Sequence, residues 1–415
     1  MTTAKHTSPS SHGVPEVGNP PAFPMTRRCP FSPPEEYRAL REQGPLVRVR
    51  LPSGQHSWVV TRYAEAKQVL TDPRISTDPT QPGFPTTNPE SCEAGQRPEG
   101  QFIDMDPPEH TAYRRMLISE FSVRRINQLR PAIQRVVDQR VDAMLAEGGP
   151  LDLVEWFGLP VPSIVICELL GVPYADHEYF ESRTRTFARL TTDPAEANAA
   201  VRELRGYLAE LVARVEREPN DGLVSRLFTE RVATGELTRE ALAGMAFLLL
   251  LAGHETTANM IPLSVLSLLE NPAALAEIRA DPGLLPGAVE ELLRFHSAVD
   301  WVAFDRMAVE DVEIGGQLVR AGEGIYVLGA SANRDERAFD RPDEFDIHRG
   351  ARNHLAFGNG VHQCLGQNLA RAELEIALRT LFERMPTLRL ARPVAELPLK
   401  SDSAIFGLAE LPVTW

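Results

Sequence analysis

A single cysteine, Cys364, is the residue of this chain best suited to bind a metal ion. It lies in the segment Phe357–Gly366, and a helical pattern follows from Asn368. The first N–H groups of a helix and its positive dipole end favour a thiolate. Gly358 and Gly360 let the backbone approach a flat ligand closely. A lone cysteine is usually a small buried hydrophobic residue, but a thiolate on such a loop suits the iron of a haem.

A second group of reactive side chains lies in the most apolar part of the chain. Glu255 and Thr256 fall within a helical pattern that runs from Arg239 to Leu269. A carboxylate is costly to bury without partners, so its position there indicates a function; an acid that caps a helix or faces solvent is the alternative. The Thr256 hydroxyl can donate to the carbonyl of Ala252. Gly253 has no side chain and should leave a groove for a small molecule.

Charged residues at helical spacing form two further patterns. Glu291 and Arg294 are three residues apart and can form an ion pair. On a protein surface such a pair would contribute little. His110 and Arg114 are four residues apart on a helix that the Pro107–Pro108 pair can begin. Two aligned cations repel each other unless anionic groups lie nearby, although unrelated cations on a helix remain the alternative.

These four segments together resemble the cytochrome P450 family. Phe357–Gly366 is similar to the haem-binding signature F-G-x-G-x-H-x-C-x-G at every fixed position. Residues 252–257 resemble the oxygen-activation motif, residues 290–294 the E-x-x-R motif, and residues 106–114 the D-P-P-E-H-x-x-x-R stretch. The motifs occur in the family's order, and the resemblance covers about residues 23–415.

The resemblance implies a role for each of these residues. It makes Cys364 the axial ligand of haem b, Thr256 the hydroxyl that supports oxygen activation, and Glu255 the acid that relays protons. Glu291, Arg294 and Arg349 are implied to form a structural cluster beneath the Cys364 loop. The residues implied to contact the haem, four of them through its propionates, are Ala252, Phe357, Gly358 and Gly366, and then His110, Arg114, Arg306 and His362.

The elements that would carry these residues are mostly helices, with a small β region. Residues 1–22 are rich in Ser, Pro, Gly and Thr and are predicted to be a disordered tail. Residues 23–415 are predicted to form one domain with the cytochrome P450 fold, in which the haem lies between the long central helix and the helix after Cys364. Residues 76–101 are predicted to be a long functional loop. The remaining predicted elements are strands at 46–51, 57–61 and within 298–330, and helices at 126–144, 160–170, 176–190, 195–217, 220–234 and 239–269.

Composition limits the partners and the compartment. The chain has 415 residues, with 43 basic and 57 acidic side chains and a net charge of −14. This charge argues against nucleic acid or an anionic membrane as a partner. The four cysteines form no CxxC pair, which is typical of a reducing cytoplasm. No signal peptide is evident, and the longest apolar run, Met245–Ala252, is too short to span a bilayer.

The resemblance implies a soluble, monomeric monooxygenase that carries out RH + O2 + 2e⁻ + 2H⁺ → ROH + H2O. Its substrate would be a hydrophobic small molecule such as a macrolide, polyketide, terpenoid, steroid or drug-like compound. Electrons would come from a ferredoxin and its reductase, docking at Arg115, Arg371 and Arg379. The residues expected to contact the substrate, besides Ala252, are Phe84, Leu248, Leu251, Val299, Val302, Ile405 and Phe406.

Two other functions fit parts of this pattern. One is a peroxide-driven or isomerising haem-thiolate enzyme, which would need no external electrons. Such enzymes typically lack the acid–alcohol pair that Glu255 and Thr256 provide. The other is a non-catalytic haem-binding sensor, which would normally carry an additional output domain.

Overall fold

The computed structural model describes residues 20–88, 90–91 and 94–415. Most of the predicted tail, residues 1–19, and one of the four cysteines, Cys92, therefore lie outside the described residues. The described residues include Pro21, within the predicted tail, whose carbonyl accepts a hydrogen bond from the N–H of Arg50 at 2.9 Å.

Helices make up most of the described chain, as the sequence predicts. Their bounds are α1 Glu36–Gln43, α2 Tyr63–Thr71, α3 Glu109–Leu117, α4 Val123–Glu147, α5 Pro160–Leu170, α6 His177–Ala188, α7 Pro194–Arg217, α8 Leu223–Leu227, α9 Arg239–Glu270, α10 Pro272–Ala280, α11 Leu285–His296, α12 Gly329–Ala332 and α13 Gln367–Arg384. The helix predicted at 220–234 is shorter than expected: α8 ends at Leu227 and a π-helical turn, Phe228–Val232, completes the segment.

The strands form a small β region beside the helices. Their bounds are β1 Leu46–Arg50, β2 His56–Val60, β3 Ile75–Ser76, β4 Leu151–Asp152, β5 Trp301–Ala308, β6 Val312–Ile314, β7 Gln317–Val319, β8 Gly324–Leu328, β9 Arg389–Leu390 and β10 Pro412–Thr414. The largest sheet has the order β1-β2-β8-β5-β3, and only its β2–β8 pair is parallel. The predicted hairpin at Gly315–Gly316 joins β6 to β7.

Helix α9 runs through the centre of the protein. It begins at Thr238, whose hydroxyl accepts a hydrogen bond from the N–H of Ala241, and it ends before Pro272. Helices α5, α7 and α13 pack against it. Nearly every residue of its middle is buried, so its sequence is apolar on all sides, as expected of a core helix.

The same helix meets the length and composition expected of a membrane span. The sequence expectation considered only Met245–Ala252, whereas the whole of α9 is long and apolar enough to cross a bilayer. However, 67% of its most apolar 18-residue window is buried inside the fold. The core helix of a water-soluble protein can be equally long and apolar. The packing of α5, α7 and α13 against α9 is that of a core helix.

Candidate functional site

The Cys364 loop is held by its own backbone and by glycines. The N–H of Cys364 donates to the carbonyl of Phe357 at 2.8 Å. Gly358 and Gly360 have φ of 67° and 73°, a region that other residues rarely adopt. A Cβ on Gly360 would also lie 2.2 Å from the carbonyl oxygen of Leu70. Glycine is therefore required at 360 for close packing on α2, which sets the position of the loop.

The thiol of Cys364 lies deep in the protein on the wall of an internal cavity, and its exposed surface faces that cavity. Burial raises its pKa above the usual value. The N–H groups of Gly366 and Gln367 and the guanidinium groups of Arg114 and Arg371 oppose this effect without overcoming it. The N–H groups at the helix start thus favour the thiolate, as the sequence predicts, whereas desolvation disfavours it. A bound metal ion removes the proton of a coordinating thiol.

A cluster of basic side chains lies beside this loop. Arg306 is only 2% exposed, and its Nε and Nη2 have no hydrogen-bond partner. Both ring nitrogens of the buried His110 also lack partners. The rings of His110 and His362 lie 4.2 Å apart between centroids, and Nη2 of Arg114 donates to the carbonyl of Gln363 at 2.5 Å. The structure thus brings together the four residues predicted to contact propionates.

Burial and the positive charges of this cluster lower the pKa values of its two histidines. Burial lowers the pKa of His110 to about 4, with Arg114 adding to the effect. Burial, followed by Arg306 and His110, lowers the pKa of His362 to about 2. Unpartnered donors at a buried site are costly, and an anionic group among them would remove that cost. The two propionates of a haem provide such anions, so these residues fit the predicted cofactor.

The metal-ligating side chains also fit a haem. Within the described part of the chain, no three His, Cys, Asp or Glu side chains are grouped so that they could hold a metal ion. An iron at Cys364 therefore needs its other ligands from a separate scaffold, and a porphyrin supplies four nitrogen ligands in a plane. Phe357, Gly358 and Gly366 line the same cavity as the sulfur, as predicted for residues that contact the haem.

Helix α9 supplies the facing part of the cavity wall. Leu248, Ala252 and Thr256 recur every four residues along one face of the helix, and all three line the cavity. The hydroxyl of Thr256 donates to the carbonyl of Ala252 at 2.8 Å, as the sequence predicts. Gly253 lines the same cavity, as expected of a residue that leaves space beside the helix. A Cβ there would lie 2.8 Å from Cδ1 of Ile166 on α5, so this glycine also permits α5 and α9 to pack closely.

Glu255 is buried and does not line the cavity. One carboxylate oxygen, Oε1, accepts a hydrogen bond from Nδ2 of Asn259 at 3.0 Å and lies 3.4 Å from Nζ of Lys400. Burial raises the pKa of Glu255, but Lys400, His254 and Asn259 together outweigh burial and hold it below the usual value. The carboxylate is therefore the stable form at neutral pH.

The predicted substrate contacts are only partly brought together. Leu248, Ala252 and Val299 line the cavity, whereas Leu251 packs against the apolar core from the next face of α9. Phe84 and Ile405 do not line it either, since Phe84 is half-buried in the 76–101 loop and Ile405 is buried beside Val299. The ring of Phe406 is covered by the guanidinium of Arg27, 3.9 Å from its centroid. The side chain of Val302 lies outside the described residues.

The predicted charged cluster lies beneath the cavity. Arg294 donates to both carboxylate oxygens of Glu291, at 2.7 and 2.8 Å, and both side chains are completely buried. Nε of Arg349 donates to Glu291 at 3.1 Å. Arg294 also binds the carbonyls of Asn333 and Pro342. These contacts tie α11 to the segment that leads into the Cys364 loop, as expected of a structural cluster.

One of the three arginines expected at a docking surface is engaged elsewhere. Arg371 donates to both carboxylate oxygens of Glu290, at 2.6 and 3.1 Å, and lies over the ring of Phe357. This pairing holds α13 to α11 and covers the aromatic side chain next to the Cys364 loop. The expectation for Arg371 is therefore wrong, because its charge is already paired. Arg115 and Arg379 are exposed.

Sequence reasoning missed two ionisable residues near the site. Lys400 is 145 residues from its partner Glu255, and no local pattern relates the two. Glu373 lies on α13, lines the cavity and has an unpartnered Oε2. Burial raises the pKa of Glu373 well above its usual value, so the carboxyl is neutral. Its position one turn after Leu369, on the buried face of the predicted helix, could have identified it.

Comparison with known proteins gives consistent matches along nearly the whole chain. A family model described as Cytochrome P450 matches residues 283–391. The chain is 51% identical over 403 residues to the vitamin D3 dihydroxylase of Streptomyces griseolus, which covers 97% of this chain and 98% of that protein. It is 52% identical over 401 residues to the pentalenic acid synthase of Streptomyces avermitilis, covering 96% and 98%.

Solved structures match the fold equally well. The crystal structure of mycinamicin VIII C21 methyl hydroxylase from Micromonospora griseorubida, bound to mycinamicin VIII, has a TM-score of 0.91 at 43% identity and covers 95% of this chain and 100% of that chain. The cytochrome P450 MoxA from Nonomuraea recticatena has a TM-score of 0.86 at 50% identity and covers 95% and 98%. The predicted fold class is thereby confirmed.

Proposed function

Because this chain belongs to the cytochrome P450 family, whose members are haem-thiolate monooxygenases, we propose that it inserts one atom of O2 into a C–H bond of a hydrophobic small molecule. The second oxygen atom leaves as water. The observation that carries the proposal is that Cys364 and Thr256 border one cavity, with an ionised Glu255 next to Thr256. A metal ligand, a hydroxyl and an acid are thus assembled in one place.

In this proposal haem b is held through Cys364, and its propionates are held by His110, Arg114, Arg306 and His362. The bound haem supplies the activation of O2, which the electron-rich thiolate ligand favours. The protein positions the haem and keeps water away from it. The unpartnered donors of Arg306 and His110 would bind the propionates, and the apolar cavity wall excludes water.

Thr256 and Glu255 are proposed to deliver the two protons that each turnover consumes. Thr256 places a hydroxyl at the cavity wall, one helical turn after the carbonyl that it binds. Glu255, the preceding residue, faces the opposite side of this wall and contacts Lys400, which is partly exposed to solvent. We propose that protons pass from the solvent side through Glu255 to the hydroxyl, so that the cavity need not open to bulk water.

The substrate is proposed to be a hydrophobic natural product such as a macrolide, polyketide, terpenoid or steroid. The cavity that Thr256 lines is largely apolar and includes Leu248, Leu249, Val299, Phe102 and Ile103. One relative is named a vitamin D3 dihydroxylase, and one matched structure holds mycinamicin VIII. Both names refer to large, mainly apolar molecules, which supports a substrate of this class.

Electrons are proposed to come from a ferredoxin that is served by a reductase. Arg115 and Arg379 are exposed cations. Arg115 lies on α3, which contacts the Cys364 loop through Arg114, and Arg379 lies on α13, which follows the loop in sequence. They would attract an acidic ferredoxin despite the net charge of −14. We also propose that residues 23–415 act as one monomeric domain in the cytoplasm.

Reconstituted turnover under isotopically labelled oxygen tests the function. Candidate compounds are first screened for the spin-state shift that follows displacement of water from the iron. A compound that binds is then incubated with ferredoxin, reductase, NADPH and ¹⁸O2. One ¹⁸O atom in the product, dependent on ferredoxin, is the expected result. Product formed with hydrogen peroxide alone and not with ferredoxin would favour the peroxide-driven alternative, and a product without ¹⁸O would contradict a monooxygenase.

A further inference from the structure

Lys400 lies where it can control the charge of Glu255. Its Nζ is 3.4 Å from Oε1 of Glu255 and 2.9 Å from Oδ1 of Asn259. The Glu255 side chain is 4% exposed, whereas that of Lys400 is 18% exposed. Of these two side chains, only Lys400 reaches solvent to a notable extent. Lysine is scarce in this chain, where the others are Lys5 and Lys67 and all remaining basic residues are arginine.

The other groups around Glu255 do not replace this cation. Nδ1 of His254 lies 3.9 Å from the carboxylate, but neither ring nitrogen has a hydrogen-bond partner. Burial lowers the pKa of His254, with Glu255 and then Glu181 opposing it and Lys400 and Arg185 adding to it. The ring is therefore neutral. Asn259 donates a hydrogen bond to Glu255 but carries no charge.

The segment that carries Lys400 is fixed against α9. The N–H of Lys400 donates to the carbonyl of Gly407 at 2.9 Å, which closes a turn. A Cβ on Gly407 would lie 1.9 Å from Oδ1 of Asn259, so only glycine permits this close approach. The N–H of Phe406 donates to the carbonyl of Ala298 at 2.8 Å. The backbone that carries Lys400 is therefore held against α9, with its ammonium group beside the acid.

We propose that Lys400 is a positioning residue for proton supply, which keeps Glu255 ionised and fixes its carboxylate on the solvent side of α9. The inference rests on the proposed function only for its effect on turnover. With Lys400 present, Glu255 is a carboxylate throughout the neutral range and takes up each proton from solvent as it is needed. Without Lys400, desolvation of the buried carboxyl is no longer offset and the neutral acid becomes the stable form.

Turnover across a pH range tests the effect on catalysis. The ratio of product formed to NADPH consumed is measured from pH 6 to pH 8.5 for the wild type, Lys400→Met and Lys400→Arg. In Lys400→Met this ratio should rise at least about twofold from pH 6 to pH 8.5, because the ionised form of Glu255 is restored only as pH rises. The wild type and Lys400→Arg both keep the cation, so their ratio should show no such change with pH. Equal profiles in all three proteins would overturn the proposal.

The pH dependence of thermal stability tests the same contact without catalysis. A carboxyl whose folded pKa is raised destabilises the folded protein as pH rises above its unfolded value. The melting temperature of Lys400→Met should therefore fall by about 2 °C or more between pH 5 and pH 8 relative to Lys400→Met/Glu255→Gln. Lys67→Met, which removes a surface ammonium on α2, should show no such difference from wild type.

The two measurements separate the inference from the proposed function. If the protein forms no hydroxylated product, the melting temperatures still report whether Lys400 controls the ionisation of Glu255. If the melting temperatures of Lys400→Met and Lys400→Met/Glu255→Gln change equally with pH, the inference is overturned, even in a fully active monooxygenase. A fall in melting temperature with pH that occurs in Lys400→Met and not in the double variant would support the inference, even if turnover needs peroxide.

Discussion

The sulfur of Cys364 lies where burial and nearby positive charge act on its pKa in opposite directions. Desolvation raises the pKa of the buried thiol, and the nearby N–H groups and guanidinium groups offset only part of that effect. The same N–H groups and guanidinium groups would stabilise a thiolate bound to the iron of a haem.

Replacing Thr256 by alanine should separate reductant consumption from product formation. The variant loses the hydroxyl that now donates to Ala252 at the cavity wall. Product formed per NADPH should fall about tenfold, since proton transfer by a positioned group contributes at least this much. The NADPH should continue to be consumed and hydrogen peroxide released. Thr256→Ser retains the hydroxyl and should keep most of the coupling; equal coupling in Thr256→Ala and the wild type would contradict the role.

Replacing Arg306 by methionine should weaken retention of the haem. The guanidinium has unpartnered Nε and Nη2 atoms beside His110 and His362. Hydrogen bonds to a charged group contribute about 1.5–3 kcal/mol, so transfer of haem to an acceptor protein should be about tenfold faster or more. Arg320→Met removes an exposed arginine in the β7–β8 turn and serves as the control. A transfer rate equal to that of the control would show that Arg306 holds no propionate.

At the scale of elements, a buried ion pair joins α11 to the chain before the Cys364 loop. Glu291→Gln leaves Arg294 buried with one fewer charge partner. The free energy of unfolding should fall by about 3–5 kcal/mol, measured by urea denaturation of the haem protein. Arg341 and Glu344 have the same three-residue spacing but are largely exposed. Glu344→Gln should therefore change stability by about 0.5 kcal/mol or less, and similar losses in both variants would contradict this account.

Periodicity predicted the elements that carry the site, but it could not predict every contact between them. The positions of α4, α5, α7 and α9 follow from apolar spacing and helix boundaries, because those signals are local. The fit of Ile166 against Gly253 depends on how α5 crosses α9, which no local pattern specifies. The close packing of these two helices at Gly253 could therefore not be predicted from the sequence.

At the scale of the whole molecule, residues distant in sequence complete the site. Lys400 meets Glu255 across 145 positions, and Arg371 pairs with Glu290 across 81. Motif reasoning predicts Cys364, Thr256 and Glu255 as site residues because each lies in a short local signature. It could not identify Lys400, which is placed by the fold of the C-terminal segment, nor foresee that Arg371 is already paired.

The charge distribution leads to a prediction about electron transfer. The protein carries a net charge of −14, so an acidic ferredoxin would need a local group of exposed cations. Arg115→Glu should slow ferredoxin-dependent turnover several-fold at low ionic strength and reduce its dependence on salt. Arg217→Glu makes the same change of charge at the exposed end of α7 and should leave the rate unchanged. Equal effects of the two variants would contradict docking at Arg115.

The identity of the iron ligand can be measured directly from the absorption spectrum of the reduced protein with bound carbon monoxide. The wild type and Cys29→Ser should both show the thiolate type of spectrum, whereas Cys364→Ser should lose it. Cys29 is a free thiol outside the cavity and so controls for loss of a cysteine. A thiolate spectrum that persists in Cys364→Ser, or an imidazole type in the wild type, would contradict coordination by Cys364.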